Sequence, residues 1–170
     1  DRFGLRRVYY SAFSPIPEAS SVLPLQRPPL MREHRLYQSD WLMRFYGFEP
    51  REVVAATDDA TGMLPLDIDP KLAWALKFRD HFPVDVNRAP REALWRVPGL
   101  GTKAVKSILA ARRWRRLRLD DVARLTVSIA RIRPFIIAED WRPVTLTDRA
   151  ELKPLVAPRP ARQQLELFGA

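Results

Sequence analysis

A chain of 170 residues has room for one ordinary domain or a small one with appendages, and 46% hydrophobic residues suffice to bury a core. A formal net charge of +9 points to nucleic acid or another acidic surface as partner. The lack of cysteine excludes disulfides, thiolate zinc sites and iron–sulfur clusters within the chain, and neither His34 nor His81 has the neighbours of a metal site. No apolar run approaches membrane-spanning length and no signal peptide is visible, so a cytoplasmic, nucleoid-associated protein with no membrane partner is expected. The 16 prolines cluster near 15–29 and 134–160, which marks those parts as irregular. Asp1 stands where a methionine would open a complete chain, and a strand-like run follows at once, so the sequence reads as a piece of a longer protein.

Residues 5–13 (LRRVYYSAF) have the aromatic and branched composition of a strand, one that needs partners preceding Asp1. A Pro/Ser loop follows. Residues 30–48 then predict a long helix, with Leu36, Tyr37, Trp41, Leu42, Phe45 and Tyr46 at three- and four-residue intervals and Gly47 closing it. The charged run Arg32-Glu33-His34-Arg35 reads as a solvated helix end with local ion pairs. Residues 49–66 are polar and turn-rich. Asp69-Pro70 predicts a capped helix through about Arg79, burying Leu72, Trp74, Ala75 and Phe78. Trp74 and Trp95 read as core packing rather than base stacking. Residues 82–86 form an extended link.

The centre of the chain is residues 84–113. A short helix is expected from Ala89, with Pro90 in its first position and Leu94 and Val97 on its apolar side; Pro98 ends it. Gly99 and Gly101 suit positive φ or close backbone approach, and Leu100 between them points inward. Thr102 is the expected N-cap of a second helix over residues 103–113, packing Val105, Ile108 and Leu109. Lys103 and Lys106 share one edge of its first turn, where positive charge opposes the helix dipole. An anion held by the N–H groups of Gly101, Thr102 and Lys103 reverses that balance. The run Arg112-Arg113-Trp114-Arg115-Arg116-Leu117-Arg118 suits phosphates or a stacked base, or simply a helix C-terminus where arginines complement the dipole. Asp120 is the expected cap of a third helix over residues 121–125, residues 129–137 are apolar, order declines from Ala138, and residues 153–170 read as a tail.

With its prelude Asn87-Arg88-Ala89, the Pro98-Gly99-Leu100-Gly101-Thr102 turn resembles the helix-hairpin-helix DNA-binding motif. The resemblance implies sequence-independent contact with backbone phosphates through Gly99, Leu100, Gly101, Thr102, Lys103 and Lys106, with Arg112, Arg113, Arg115 and Arg116 as further DNA-binding candidates. Together with YYSAFSPIP at residues 9–17 and REHRLYQSDWLMRFYGF at residues 32–48, it also resembles the C-terminal third of bacterial DNA modification or repair radical-SAM proteins. That implies a parent whose upstream (β/α) barrel holds a [4Fe–4S] cluster and S-adenosylmethionine. This chain has no cysteines to hold them, so no cofactor, metal ligand or catalytic residue is assigned to it.

The expected fold is therefore mainly α. Residues 1–48 would end an upstream barrel, 49–83 form a connector with one helix, 84–137 the helix-hairpin-helix domain, and 138–170 an irregular proline-rich tail. Two other readings stand beside DNA-backbone binding: a helix-hairpin-helix glycosylase or lyase, since Lys103 and Asp121 follow Gly101 at similar offsets, and a protein–protein scaffold. At the C-terminus, Gln164-Leu165-Glu166-Leu167-Phe168 resembles the motif by which bacterial repair and replication proteins engage the sliding clamp. The resemblance makes Gln164 a polar anchor and Leu165, Leu167 and Phe168 the apolar docking residues.

Overall fold

The computed structural model describes residues 8–16, 18, 25–143 and 151–157. Among them the architecture is mainly helical, as the periodicity predicts: α1 (Leu30–Phe45), α2 (Pro50–Ala55), α3 (Pro70–Lys77), α4 (Arg91–Arg96), α5 (Thr102–Ala111), α6 (Leu119–Leu125), α7 (Ile129–Ile132) and α8 (Leu152–Val156). Two short strands, β1 (Val84–Asp85) and β2 (Ile136–Ile137), pair in parallel, Val84 opposite Ile136 and Asp85 opposite Ile137. One cluster of buried side chains runs from Leu42 to Val156, with Leu94, Val97, Leu100, Val105 and Ile108 of the hairpin inside it. Fully burying each such side chain is worth about 1.5–3 kcal/mol, so the hairpin's apolar seam anchors it firmly.

The expected strand at residues 5–13 is not formed in its described part: residues 8–16 adopt no regular structure. No neighbouring strand offers a ladder there among the described residues. Tyr10 instead sits edge-on to Tyr37 with ring centroids 5.3 Å apart, and its N–H donates to the Tyr37 hydroxyl at 3.1 Å. Helix α1 forms where its spacing predicts, with Gly47 in the left-handed conformation just past its end. Its inward face is Arg35, Ser39 and Leu42, while Trp41 and Phe45 stay largely exposed. The charged start of α1 is not a set of solvated ion pairs. Arg32 and Arg35 donate to the carbonyls of Leu64 and Leu66, each at 2.6 Å, and so clamp the loop before α3. Burial lowers the Arg35 pKa, opposed by Asp69 and Asp67.

Helix α2 lies in a stretch that reads as loop. Its start is fixed by Pro50 in the first turn and by Glu52, whose carboxylate accepts from the Glu49 N–H at 2.8 Å. Helix α3 begins as predicted, Asp69 accepting from the Leu72 N–H at 2.9 Å; it ends at Lys77, followed by a 3₁₀ turn over Arg79–His81. Trp74 is buried and packs on Phe48, Phe78 and Phe82. Helix α6 starts two residues earlier than expected, and Asp120 does not cap it. The Asp121 carboxylate accepts from Arg118 N–H at 3.0 Å, and Asp140 from Leu119 N–H at 2.8 Å. Residues 152–156 are not a tail: Leu152 and Val156 are buried, Lys153 pairs with Asp67 at 2.6 Å, and the Val156 carbonyl accepts from Arg131.

Candidate nucleic-acid interface

Helix α4 starts one residue later than the sequence suggests, because Pro90 is extended and serves as its N-cap. Leu94 and Val97 are fully buried, and Pro98 stops the helix as expected. Gly99 has φ +85, and Leu100 points into the core at 1% exposure. Gly101 does not share the positive φ. At φ −82 and ψ 166 it is extended, and it, rather than Thr102, is the N-cap of α5, its carbonyl accepting from Val105 N–H at 3.0 Å. The second hairpin helix ends at Ala111, not Arg113.

The opening of α5 has three properties that suit an anion. Its first N–H groups have no partner within the helix, and no side chain caps them. No acidic residue stands in its first turn. Thr102, Lys103 and Lys106 are exposed there. Two lysines at a helix N-terminus oppose the macrodipole, an arrangement that a bound phosphate turns favourable.

The arginine run divides. Arg112 is structural: its guanidinium donates to the carbonyls of Val86 (3.1 Å) and Ala89 (2.7 Å), tying the end of α5 to the prelude of α4. Arg115 bonds Asp121 at 2.5 Å, and Arg116 stands 3.9 Å from Glu139. The Arg113 side chain has no hydrogen bond or ion pair among the described residues and faces the cleft between α4 and α5. Of the four candidate arginines the fold thus leaves Arg113 the most available. The Asp121 carboxylate is held below the usual range, chiefly by the Arg118 N–H and then by Arg115, so it is an ionised cap.

Three features of this region escaped the sequence reading. Asn87 fixes the prelude by exchanging two bonds with the Leu117 backbone, donating to its carbonyl at 3.1 Å and accepting from its N–H at 2.7 Å. Arg96 holds Glu52 through two nitrogens at 2.9 and 2.8 Å and donates to the carbonyls of Tyr46 and Gly47 at 3.0 Å. Lys71 is buried beneath the turn, its ammonium donating to the Leu100 carbonyl at 2.6 Å and lying 4.6 Å from the centre of the Tyr46 ring. Its one legible signal was a charged residue on the apolar side of an otherwise buried helix. The residues matching the clamp motif, Gln164, Leu165, Leu167 and Phe168, lie outside the described residues.

No protein-family model, curated protein or solved structure matches this chain. Among the described residues no group of three or more His, Asp or Glu is placed to hold a metal ion. With no cysteine in the chain, the thiolate ligands of an iron–sulfur cluster are not here either. No helix among the described residues is long and apolar enough to cross a membrane.

Burial lowers the Lys71 pKa to about 7 from an ordinary 10.5, with Asp69 opposing the shift and Arg96 adding to it. Between those two values the unfolded chain keeps a proton that the folded chain has released. Stability should therefore rise with pH across that window, by up to about 1.4 kcal/mol per pH unit from this group. In Lys71→Met the rise should flatten, as read from urea midpoints between pH 7 and pH 10. An unchanged slope would exclude Lys71 as its source.

Proposed function

We propose that the α4–turn–α5 hairpin binds the phosphate backbone of DNA without sequence preference. The observation that carries this reading is the uncapped start of α5, with its N–H groups unpartnered, no acid in the first turn, and Lys103 and Lys106 exposed beside it. The net charge of +9 supports it, because a polyanion gains from every lysine or arginine it meets. The parent role, as the accessory C-terminal part of a DNA repair or modification radical-SAM protein, is supported by the sequence resemblance alone, and so is clamp docking through residues 164–168. The lyase alternative gains no support from Asp121, whose two oxygens serve Arg115 and the start of α6.

Backbone binding makes a quantitative demand. Lys103→Ala and Lys106→Ala should each weaken binding by similar factors on unrelated DNA sequences, and each should reduce the slope of log affinity against log salt by about one unit. Fluorescence anisotropy over a salt series measures both quantities. A loss confined to one sequence, with the slope unchanged, would refute phosphate contact.

A further inference from the structure

Between α4 and α5 runs an open groove of about 470 Å³. Arg91 and Trp95 line it from α4, and Thr102, Lys106, Leu109 and Arg113 from the α5 side. The α5 positions follow helical spacing, so the groove tracks that helix from the glycine turn to the arginine run. At 1.5 Å per residue the helical part of this wall, Thr102 to Ala111, is about 14 Å long. The lining contains three cations and no acid. The floor is apolar: Val105 is fully buried, and the half-buried Trp95 ring lies under Arg91, 5.7 Å from its guanidinium.

Arg113, the last of the lining residues, is followed in the chain by Trp114, which is 90% exposed. No aromatic ring or cation covers it among the described residues. Of the cations nearby in the chain, Arg112, Arg115 and Arg118 bond carbonyls or carboxylates and Arg116 stands 3.9 Å from Glu139, whereas the Arg113 side chain has no such partner among the described residues. The apolar body of tryptophan is ordinarily buried, and a bare indole next in the chain to an unpaired cation is the composition of a surface on which a base stacks.

We propose that the α4–α5 groove takes a single nucleic-acid strand, its phosphates along Lys106 and Arg113 and one of its bases on Trp114. The chain accordingly prefers unpaired strand to duplex. In a duplex the bases are stacked on one another and offer no face to Trp114, whereas an unpaired strand offers both phosphate and base. This inference rests on the hairpin as a backbone-binding element and adds the form of nucleic acid that it takes.

The test compares the full chain with its Trp114→Ala and Lys103→Ala variants on a labelled oligothymidine and on a duplex of equal length, by anisotropy at several salt concentrations. Trp114→Ala should weaken the single strand by about tenfold while leaving its salt slope and the duplex affinity unchanged. Because Trp114 is exposed, the variant should keep its circular dichroism and melting temperature. If Trp114→Ala affects both nucleic acids equally, or neither, while Lys103→Ala weakens both, the strand proposal falls and backbone binding stands. If the parent chain binds neither, both fall.

Discussion

Gly99→Val should destabilise the fold by about 3 kcal/mol or more, the largest effect expected of any single change in the turn. The backbone at this position has φ +85, a conformation costly for any side chain and worst for a branched one. Space is lacking as well. A Cβ here would lie 2.9 Å from Ile132 Cγ1 and 3.5 Å from its Cδ1. Ile132 is itself fully buried, so it has little room to give. For a chain of this size 3 kcal/mol corresponds to a fall in melting temperature of roughly 6–12 °C. Gly99→Asn, which tolerates the left-handed region better, should fall between the parent and the valine variant. Thermal melts of the three proteins check the order. A Gly99→Val protein that melts with the parent would show that the turn relaxes more freely than its packing indicates.

Gly101→Val should do the opposite, leaving the fold nearly intact and removing DNA binding by at least about tenfold. Its backbone is extended, which any residue adopts, and a Cβ would meet only the Tyr46 hydroxyl at 3.9 Å. The stability cost is that of valine as a poor N-cap, about 1 kcal/mol. On the proposed reading a phosphate must approach the backbone at Gly101, Thr102 and Lys103, where a branched side chain is poorly tolerated. Circular dichroism and binding isotherms on the same preparation separate the two consequences. Parent-like binding by a folded Gly101→Val protein would remove the helix N-terminus from the interface. The two glycines of one turn thus differ: Gly99 adopts a left-handed backbone packed against Ile132, whereas Gly101 is extended and uncrowded.

How much of this was readable beforehand follows from the range of the forces involved. The hairpin was legible because its signals act over a few residues: Pro98 stops a helix, Gly99 takes the left-handed turn, and Val105 and Ile108 repeat at helical spacing. Asp69 before Pro70 capped α3 for the same reason. The errors of one residue at Pro90 and Thr102 belong there too, because several adjacent residues can serve as a cap and the local backbone selects one.

The fate of the charged side chains was decided only by the tertiary structure. Arg112 was spent on carbonyls 26 and 23 residues away, Arg96 on a carboxylate 44 away, and Arg131 on Asp69, 62 away. Lys71 was buried because the hairpin turn, 29 residues on, presents the Leu100 carbonyl to it. The pairing of β1 with β2 and the docking of α8 on α7 likewise need partners distant in sequence. By itself the sequence determined α1, α3, the two hairpin helices, the turn and the excess of positive charge, which depend on residue type and spacing along the chain. The folded structure decided which of those charges still face solvent, because a cation's partner is whatever carbonyl or carboxylate the fold brings within about 3 Å.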